Sequence, residues 1–328
     1  MVDIIAPTNV QWNRKYYEAG DFVVEMPSID YSLNMKYIYC TKREEVGMIQ
    51  KVQNSGYNIL ISGYFLEKKL DDKIIYPTFY GSGEITEVLT KMINQYKEDI
   101  PILSISTREV GSKVDFQSTG DELSKKLYEV LQTQEMSYRI LYDFVSNNRS
   151  VQFFKGADKT QNAGVDDYVT FSTSWDNISE QSVVVDESNF KNFFVVAGTG
   201  EAEERITVEV DLSNGGYKRK LFVDERNTTY NPDEQTLDQY KLELRQKGVE
   251  KSLDYQILEN INFKIDPTGY EYMVDYDIGT KVDVVITELK MSFEVRIIAV
   301  YEVFKDGQHS IEVEVGTPIK SRFNTILI

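Results

Sequence analysis

Residues 12–27 constrain the fold more than any other part of the sequence. Two alternating runs flank a polar break: Trp12, Arg14 and Tyr16, then Phe22, Val24 and Met26. Because side chains two residues apart lie on the same face of a strand, each run predicts a strand with one buried face. Residues 18–21 between them have turn composition, and Gly20 is expected to adopt a positive φ. The stretch therefore predicts a β-hairpin that carries large aromatic side chains on both arms.

The composition predicts a folded protein rich in β-structure. The chain has 328 residues, of which 41% are hydrophobic and 12% aromatic, with 22 Tyr and 16 Phe. A chain of this length and apolar content can bury a sizeable core and divide into more than one domain. Aromatic and β-branched residues in quantity favour strands.

The charge argues against nucleic acid as a specific ligand. The sequence has 53 acidic and 36 basic residues, which gives a net charge of −17. Such a surface repels phosphates, and no Lys/Arg-rich run offsets the repulsion. We therefore expect no specific binding of DNA to this protein.

Cysteine and histidine are too few for most metal or nucleophilic chemistry. Cys40 and His309 are each the single residue of their type. A disulfide or a thiolate metal cluster is therefore not expected, and His309 stands in turn-like sequence, where neither catalysis nor a metal site is expected. The sequence predicts no cofactor, no metal and no catalytic residue.

The N-terminus lacks the basic and apolar regions of a secretory signal. No apolar run reaches the length of a membrane span. We expect an intracellular product without a secretion signal or a membrane segment.

The first half of the chain predicts a β module followed by a mixed unit. Residues 1–80 contain several short strands at a spacing typical of a small barrel or sandwich. Residues 84–97 and 120–134 instead carry apolar side chains at helical spacing. Ser82 is predicted to cap the first of these helices, and Ser118 with Asp121 resembles a capping box for the second.

The second half returns to β-structure around one further helix. Residues 206–212 and 217–223 flank the turn sequence Asn214-Gly215-Gly216, which predicts a hairpin. A helix is then predicted from the signals Asn231 as cap, Pro232 at the first position and Gly248 as stop. Residues 270–276 predict a strand, and an antiparallel meander is expected from there to residue 315.

Together these elements predict an α+β, β-dominated fold. It consists of two small barrel-like β modules, an α+β insert and a helix-bearing insert. The predicted boundaries are 1–80 for the first module and 81–160 for the α+β insert. The second module is predicted at 161–210 joined by 271–328, with the hairpin and helix insert at 211–270.

Some motifs in the sequence resemble parts of known functional sites. The spacing of Asp275, Asp277 and Gly279 matches the front of a calcium loop, but Ile286 stands where the twelfth-position Glu is required, so a plain turn is favoured. Gly198-Thr199-Gly200 lacks the third Gly and the Lys-Ser/Thr of a phosphate loop. Abundant carboxylates and tyrosines leave two alternatives open: a cell-wall or polysaccharide hydrolase, and a carbohydrate-binding receptor module.

The scattered blocks of the sequence, in their order, resemble the ReqiPepy-type siphophage tail proteins. Besides the opening hairpin, the resemblance rests on residues 154–160, 169–178, 192–198, 219–226, 272–283 and 296–316. The blocks cover nearly the whole chain. The sequence departs from the family at Gly279-Thr280, where Gly-Asp is frequent.

The resemblance implies a structural hub protein of a phage tail or phage-derived particle, located in the virion tail. It implies a non-enzymatic homotrimer in which two β modules per subunit form a pseudo-six-fold baseplate ring around a channel for DNA. A distal tail or tail-tube protein would dock above the ring and a tip or spike protein below. The residues expected to serve fold and ring packing are Trp12, Tyr16, Gly20, Phe22, Tyr276, Asp277 and Gly279.

Overall fold

The computed structural model describes residues 5–32, 35–105, 112–146, 148–201, 204–233, 235–266 and 269–316. Strands dominate, which confirms the β-dominated α+β class. The strands are β1 (Asn9–Lys15), β2 (Asp21–Pro27), β3 (Tyr37–Tyr39), β4 (Val46–Ser55), β5 (Asn58–Phe65), β6 (Phe79–Glu84), β7 (Ile102–Ile105), β8 (Lys113–Ser118), β9 (Ser137–Asp143), β10 (Asn148–Phe154), β11 (Thr170–Ser172), β12 (Ile178–Asp186), β13 (Phe193–Ala197), β14 (Thr207–Asp211), β15 (Lys220–Asp224), β16 (Leu258–Ile265), β17 (Lys281–Ile286), β18 (Met291–Lys305) and β19 (Gln308–Gly316). The α-helices are α1 (Ile85–Tyr96), α2 (Leu123–Gln132) and α3 (Leu237–Ser252).

One large sheet organises the molecule, with β1 near its middle. The strand order is β12-β16-β19-β18-β1-β2-β5-β4-β3. β1 pairs with β2, which confirms the opening hairpin, and its other edge pairs antiparallel with β18. The predicted first and second modules therefore share a continuous sheet. Within the described residues this order is an open path, so the two predicted barrels are not seen as closed barrels.

β18 is a long strand that serves two ladders. Its first part, from Met291 to Arg296, pairs with β17, and its second part pairs with both β1 and β19. The register with β19 shifts between Ile297 and Ala299, where the strand passes from one ladder to the other. The predicted C-terminal meander is confirmed for β17, β18 and β19.

The strand predicted at residues 270–276 is wrong. The segment folds into turns, with an isolated bridge between Tyr272 and Tyr276. Met273 adopts a φ of 67°, and the carboxylate of Asp275 accepts a hydrogen bond from the Glu271 N–H at 2.7 Å. Local hydrogen bonds to an Asp side chain compete with extended structure, which explains the difference.

Both predicted helices of the α+β insert are present, but their caps differ from the predictions. Glu84, rather than Ser82, caps α1, because its carboxylate accepts hydrogen bonds from the Thr86 and Glu87 N–H groups at 2.8 and 3.1 Å. Ser82 lies in β6, whose ladder with β8 continues as far as Glu84. At α2, Ser118 donates to Asp121 at 2.6 Å, but no side chain caps the helix start.

The hairpin predicted at residues 206–223 is wrong in its pairing. The strands β14 and β15 both exist, but β13 lies between them, antiparallel to β14 and parallel to β15. β13 carries Phe193, Phe194 and Val196, all buried, whereas β14 and β15 each bury one residue. A strand that is apolar on both faces takes the central position of a small sheet.

The helix that follows starts and ends later than predicted. Thr236 caps α3 in a capping box with Gln239, while Asn231 accepts a bond from the Asp233 N–H in the preceding turn. Glu234 lies outside the described residues. The helix continues through Gly248. A Cβ at this position would lie 2.7 Å from Val210 Cγ2 and 2.8 Å from Val196 Cγ2. Gly248 therefore permits close packing of α3 on the sheet, rather than ending the helix.

In the described ranges, buried apolar residues form four clusters. They centre on the opening hairpin with β5, on α1 and α2, on β16 to β19 with β11, and on β13 with α3. β16 lies in the range predicted as the second insert but pairs with β12 and β19. The domain boundaries given above stay predictions.

The position of the α3 cap can be tested by two matched substitutions. Thr236→Ala removes the hydroxyl that accepts from the Gln239 N–H and should lower the free energy of unfolding by about 1 kcal/mol. Asn231→Ala should have a smaller effect, since it removes only the hydrogen bond from the Asp233 N–H in the preceding turn. Urea unfolding followed by circular dichroism measures both, and equal or inverted effects would place the cap at Asn231 after all.

Candidate functional site

The seven residues predicted for fold and ring packing separate into two groups. Trp12, Gly20 and Phe22 lie against Phe65 of β5, with Trp12 ring centroids 5.8 Å from Phe22 and 4.7 Å from Phe65. Gly20 is not a positive-φ position: a Cβ there would lie 2.3 Å from the Asn13 carbonyl oxygen and 2.6 Å from the Phe65 ring. Close approach, rather than the predicted turn geometry, requires glycine.

Tyr16 and Gly279 form the centre of the second group. Tyr16 is fully buried, and its hydroxyl donates to the Glu135 carbonyl at 3.0 Å and accepts from the Gly156 N–H at 3.2 Å. Gly279 has a φ of 85°, and a Cβ there would lie 2.3 Å from Tyr16 Cε2. Burial raises the pKa of Tyr16, although the Gly156 N–H and Arg296 oppose the shift. The opening hairpin thus docks directly onto the turn before β17.

Arg14 joins the same turn to the first module through a buried ion-pair network. It is 2% exposed. Its Nε donates to Glu45 Oε1 at 2.6 Å, and its Nη1 donates to the Tyr272 hydroxyl at 2.7 Å and to the Asp277 carboxylate. Burial raises the pKa of Tyr272 above its ordinary value, and the charge of Arg14 opposes that rise. One guanidinium therefore connects residues that are more than 200 positions apart.

Arg296 of β18 performs a similar role on the other side of Tyr16. Its guanidinium lies 5.7 Å from the centroid of the Tyr16 ring, donates to the Gly279 carbonyl, and donates to Glu135 Oε2 at 2.6 Å. Burial tends to raise the pKa of Glu135, but the bond and charge of Arg296 outweigh it and lower the pKa. Glu135 follows α2, so Arg296 ties the α+β insert to the turn.

Tyr276 and Asp277 complete the placement of the predicted residues. Tyr276 packs edge-to-face on Phe171 at 5.3 Å, in the core beneath β17 and β18. Asp277 binds Arg14 and also accepts from the Ile278 N–H at 2.7 Å. Tyr16, Tyr276, Asp277 and Gly279 therefore meet in one place, which we call the junction. Their predicted part in ring packing stays a prediction.

The predictions omitted the two arginines that bind the junction. Arg14 occupies a core-facing position in an alternating strand, and Arg296 interrupts an apolar run in β18. A basic residue in the buried phase of a strand is rarely tolerated without a partner, so the pattern does contain a signal. The partners Glu45 and Glu135 have no such signal, since each follows a run of other polar residues in the sequence.

His309 belongs to a second ion-pair group that reaches Glu302. Glu302 is fully buried, pairs with Arg43, whose Nε lies 2.8 Å from Glu302 Oε2, and lies 2.8 Å from His309 Nε2. The His309 ring stacks on Phe304 with 4.2 Å between centroids. The His309 imidazole therefore lies where the paired strands β18 and β19 contact each other.

The described part of the chain contains no converging set of three or more His, Cys, Asp or Glu side chains that could hold a metal ion. Asp275 and Asp277 of the calcium-like spacing are engaged by the Glu271 N–H and by Arg14. Among the same described residues, none of the helices combines the length and the apolar character needed to cross a membrane.

A family model described as Siphovirus ReqiPepy6 Gp37-like protein matches residues 3–317. The chain belongs to this family. The match confirms the resemblance drawn from the sequence and the assignment to the virion tail. No curated protein matches the sequence.

Solved structures share the fold at low sequence identity. The 43 kDa tail protein of prophage MuSo2 from Shewanella oneidensis is 15% identical, with 94% of each chain covered and a TM-score of 0.58. The tail protein from Neisseria meningitidis MC58 is 12% identical over 94% of this chain and 91% of its own, with a TM-score of 0.59. Prophage tail protein gp18 from Listeria monocytogenes EGD-e is 13% identical over 98% and 91%, with a TM-score of 0.57.

The contact between Gly279 and Tyr16 predicts a strong cost for any side chain at position 279. Gly279→Ala combines an unfavourable φ with overlap on a buried ring and should lower the free energy of unfolding by roughly 2–4 kcal/mol. Gly307→Ala is the matched control, because Gly307 also has a positive φ, of 74°, but no atom lies within 4 Å of an added Cβ. This substitution should lower the free energy of unfolding by only about 1 kcal/mol. Equal losses in chemical denaturation would contradict the docking contact.

The Arg14 network predicts a strong dependence on charge compensation. Arg14→Met leaves Glu45 buried without its partner and should cost about 3–5 kcal/mol of unfolding free energy. Adding Glu45→Gln should restore part of that loss, since the uncompensated charge is removed. Arg226→Met, at an exposed pair with Asp224, should leave the unfolding midpoint nearly unchanged. Additive losses for the first two substitutions would show that they do not interact.

Proposed function

We propose that this protein is a non-enzymatic hub of the tail baseplate, assembled as a homotrimer that joins the tail tube to the tip. The main support for this proposal is the match to the family model over residues 3–317. The β-dominated fold with its shared sheet supports the proposal, because such a subunit is able to offer two sheet regions to a ring. A tail-tube or distal tail protein would dock above and a tip or spike protein below.

The arrangement of β1 explains how one subunit could present both sheet regions in a fixed relation. β1 pairs on one edge with β2 of the first region and on the other with β18 of the second. Arg14, from the same strand, adds buried charge-assisted bonds to Glu45 and Asp277. Three subunits with two sheet regions each would match six-fold symmetry above and three-fold symmetry below.

The net charge supports a channel that DNA passes without adhering. A trimer would carry three times the charge of −17 that one chain carries. Acidic walls repel phosphates and deny DNA the counterion release that drives binding. A neutral or basic channel wall in the assembled ring would refute this part of the proposal.

The oligomeric state gives the direct test. Sedimentation equilibrium over a range of concentrations should give three times the chain mass of 37.9 kDa. Cryo-electron microscopy of the purified particle should show three copies in one ring at the tube–tip boundary. A protein that is monomeric in solution and present in another number in the particle would overturn the trimeric hub. Release of sugars or peptides from cell walls by the pure protein would instead support the hydrolase alternative.

A further inference from the structure

A small polar cavity lies behind Arg14, where the opening hairpin, the 3₁₀ helix Leu66–Asp72 and β9 come together. Its volume is ≈ 20 Å³, which is enough for one water molecule. The polar side chains that line it come from several elements: Arg14, Lys15, Glu18, Glu45, Glu67, Tyr128, Tyr138 and Arg139. The cavity thus lies between the first module and the α+β insert.

Three buried polar atoms at this cavity have no hydrogen-bond partner among the described residues: Arg14 Nη2, Glu45 Oε2 and Glu67 Oε2. Leaving such atoms unpaired away from solvent is costly, so native structures satisfy them with protein groups or ordered water. One water molecule has the matching capacity. It can accept from the guanidinium and donate to Glu45, and it can accept from Glu67 when that carboxyl is protonated or donate to it when it is ionised.

Glu67 is the unusual member of this set. It is 4% exposed, and its Oε1 accepts from the Ile140 N–H of β9 at 2.6 Å. Arg139, the basic residue on the same strand, is directed to Glu44 and Gln152 instead. Burial raises the pKa of Glu67 to about 7; the Ile140 N–H and Arg139 oppose the rise, and Glu45 adds to it.

The other groups around Glu67 do not supply a compensating charge. From α2 and β9 the phenols of Tyr128 and Tyr138 face it, and burial raises the pKa of both. Lys15 and Glu18 line the same cavity, but they pair with each other at 3.0 Å. Asp71 on its own element pairs with Lys68. Arg14 is already engaged by Glu45 and Asp277.

We propose that this cavity is a water site and that Glu67, linked through the water to Arg14 and Glu45, is a proton-controlled latch between the first module and the α+β insert. With Glu67 protonated, the cavity holds one negative carboxylate, on Glu45, beside the Arg14 guanidinium. When Glu67 releases its proton to solvent, a second negative charge faces Glu45 in the same buried space. The repulsion weakens the contact with β9. This latch is independent of the tail assignment.

The direction of the pH effect follows from the proton balance. The pKa of Glu67 in the folded protein is about 7, so it holds its proton up to about that pH, whereas the carboxyl in the unfolded chain loses its proton near the ordinary pKa of 4.5. Folding therefore takes up a proton between these values. The stability contributed by this group is full below about pH 4.5 and declines as pH rises to about 7. It stays constant above that.

The test compares the wild type with Glu67→Gln, which keeps an acceptor for the Ile140 N–H but cannot ionise. Glu209→Gln, an exposed position on β14, is the matched control. Hydrogen exchange at Ile140, corrected for intrinsic rates, is measured from pH 5 to 8.5 together with the thermal midpoint. Glu243 on α3 also has its pKa raised by burial, to about 7, and it remains in all three proteins, so only the difference reports on Glu67.

In the wild type and in Glu209→Gln, we expect protection at Ile140 to fall by up to about tenfold for each pH unit between about 5 and 7. In Glu67→Gln it should stay flat, with a higher thermal midpoint at pH 8. Parallel pH profiles for all three proteins would overturn the latch. A crystal structure of the wild type near pH 6 should show one water density bonded to Arg14, Glu45 and Glu67, and an empty cavity at high resolution would overturn the water site.

Discussion

The buried guanidinium of Arg14 is the interaction on which the arrangement of this molecule depends. A charge that is almost completely removed from water is tolerated only with well-placed partners, and Arg14 obtains them from Glu45, Tyr272 and Asp277. These partners come from opposite ends of the chain. The requirement to satisfy one cation therefore fixes the position of the turn before β17 relative to the opening hairpin.

Tyr16 and Arg296 extend this constraint to the α+β insert. The Tyr16 ring fills the space that a side chain at position 279 would occupy, and its hydroxyl reaches the backbone at Glu135 and Gly156. Arg296 covers the same ring and binds Glu135. Packing and ion pairing thus act on the same few residues. Separate modules joined only by loops would move independently, whereas these contacts hold the hairpin, the turn and the insert in one arrangement.

Family membership places this protein in the virion tail. The chain belongs to the ReqiPepy6 Gp37-like family, and its fold is similar to that of tail proteins from three bacteria at 12–15% identity. Similarity at this level concerns the fold, so the trimeric ring and its channel are proposals of ours. The latch at Glu67 adds a feature that lies inside one subunit and does not depend on the ring.

The sequence by itself determined the local elements whose signals are short-range. Periodicity and turn composition predict the opening hairpin, the helical stripes of α1 and α2 and the C-terminal meander. The order of the sequence blocks that resemble the tail proteins was enough to identify the family. Tertiary structure decided what required distant partners. β13 lies between β14 and β15 because the most buried strand takes the central position of this small sheet. α3 continues through Gly248, where glycine allows the helix to pack closely on the sheet. The junction was likewise decided in three dimensions, since a buried charge reveals its need for a partner in the sequence but not which carboxylate will meet it.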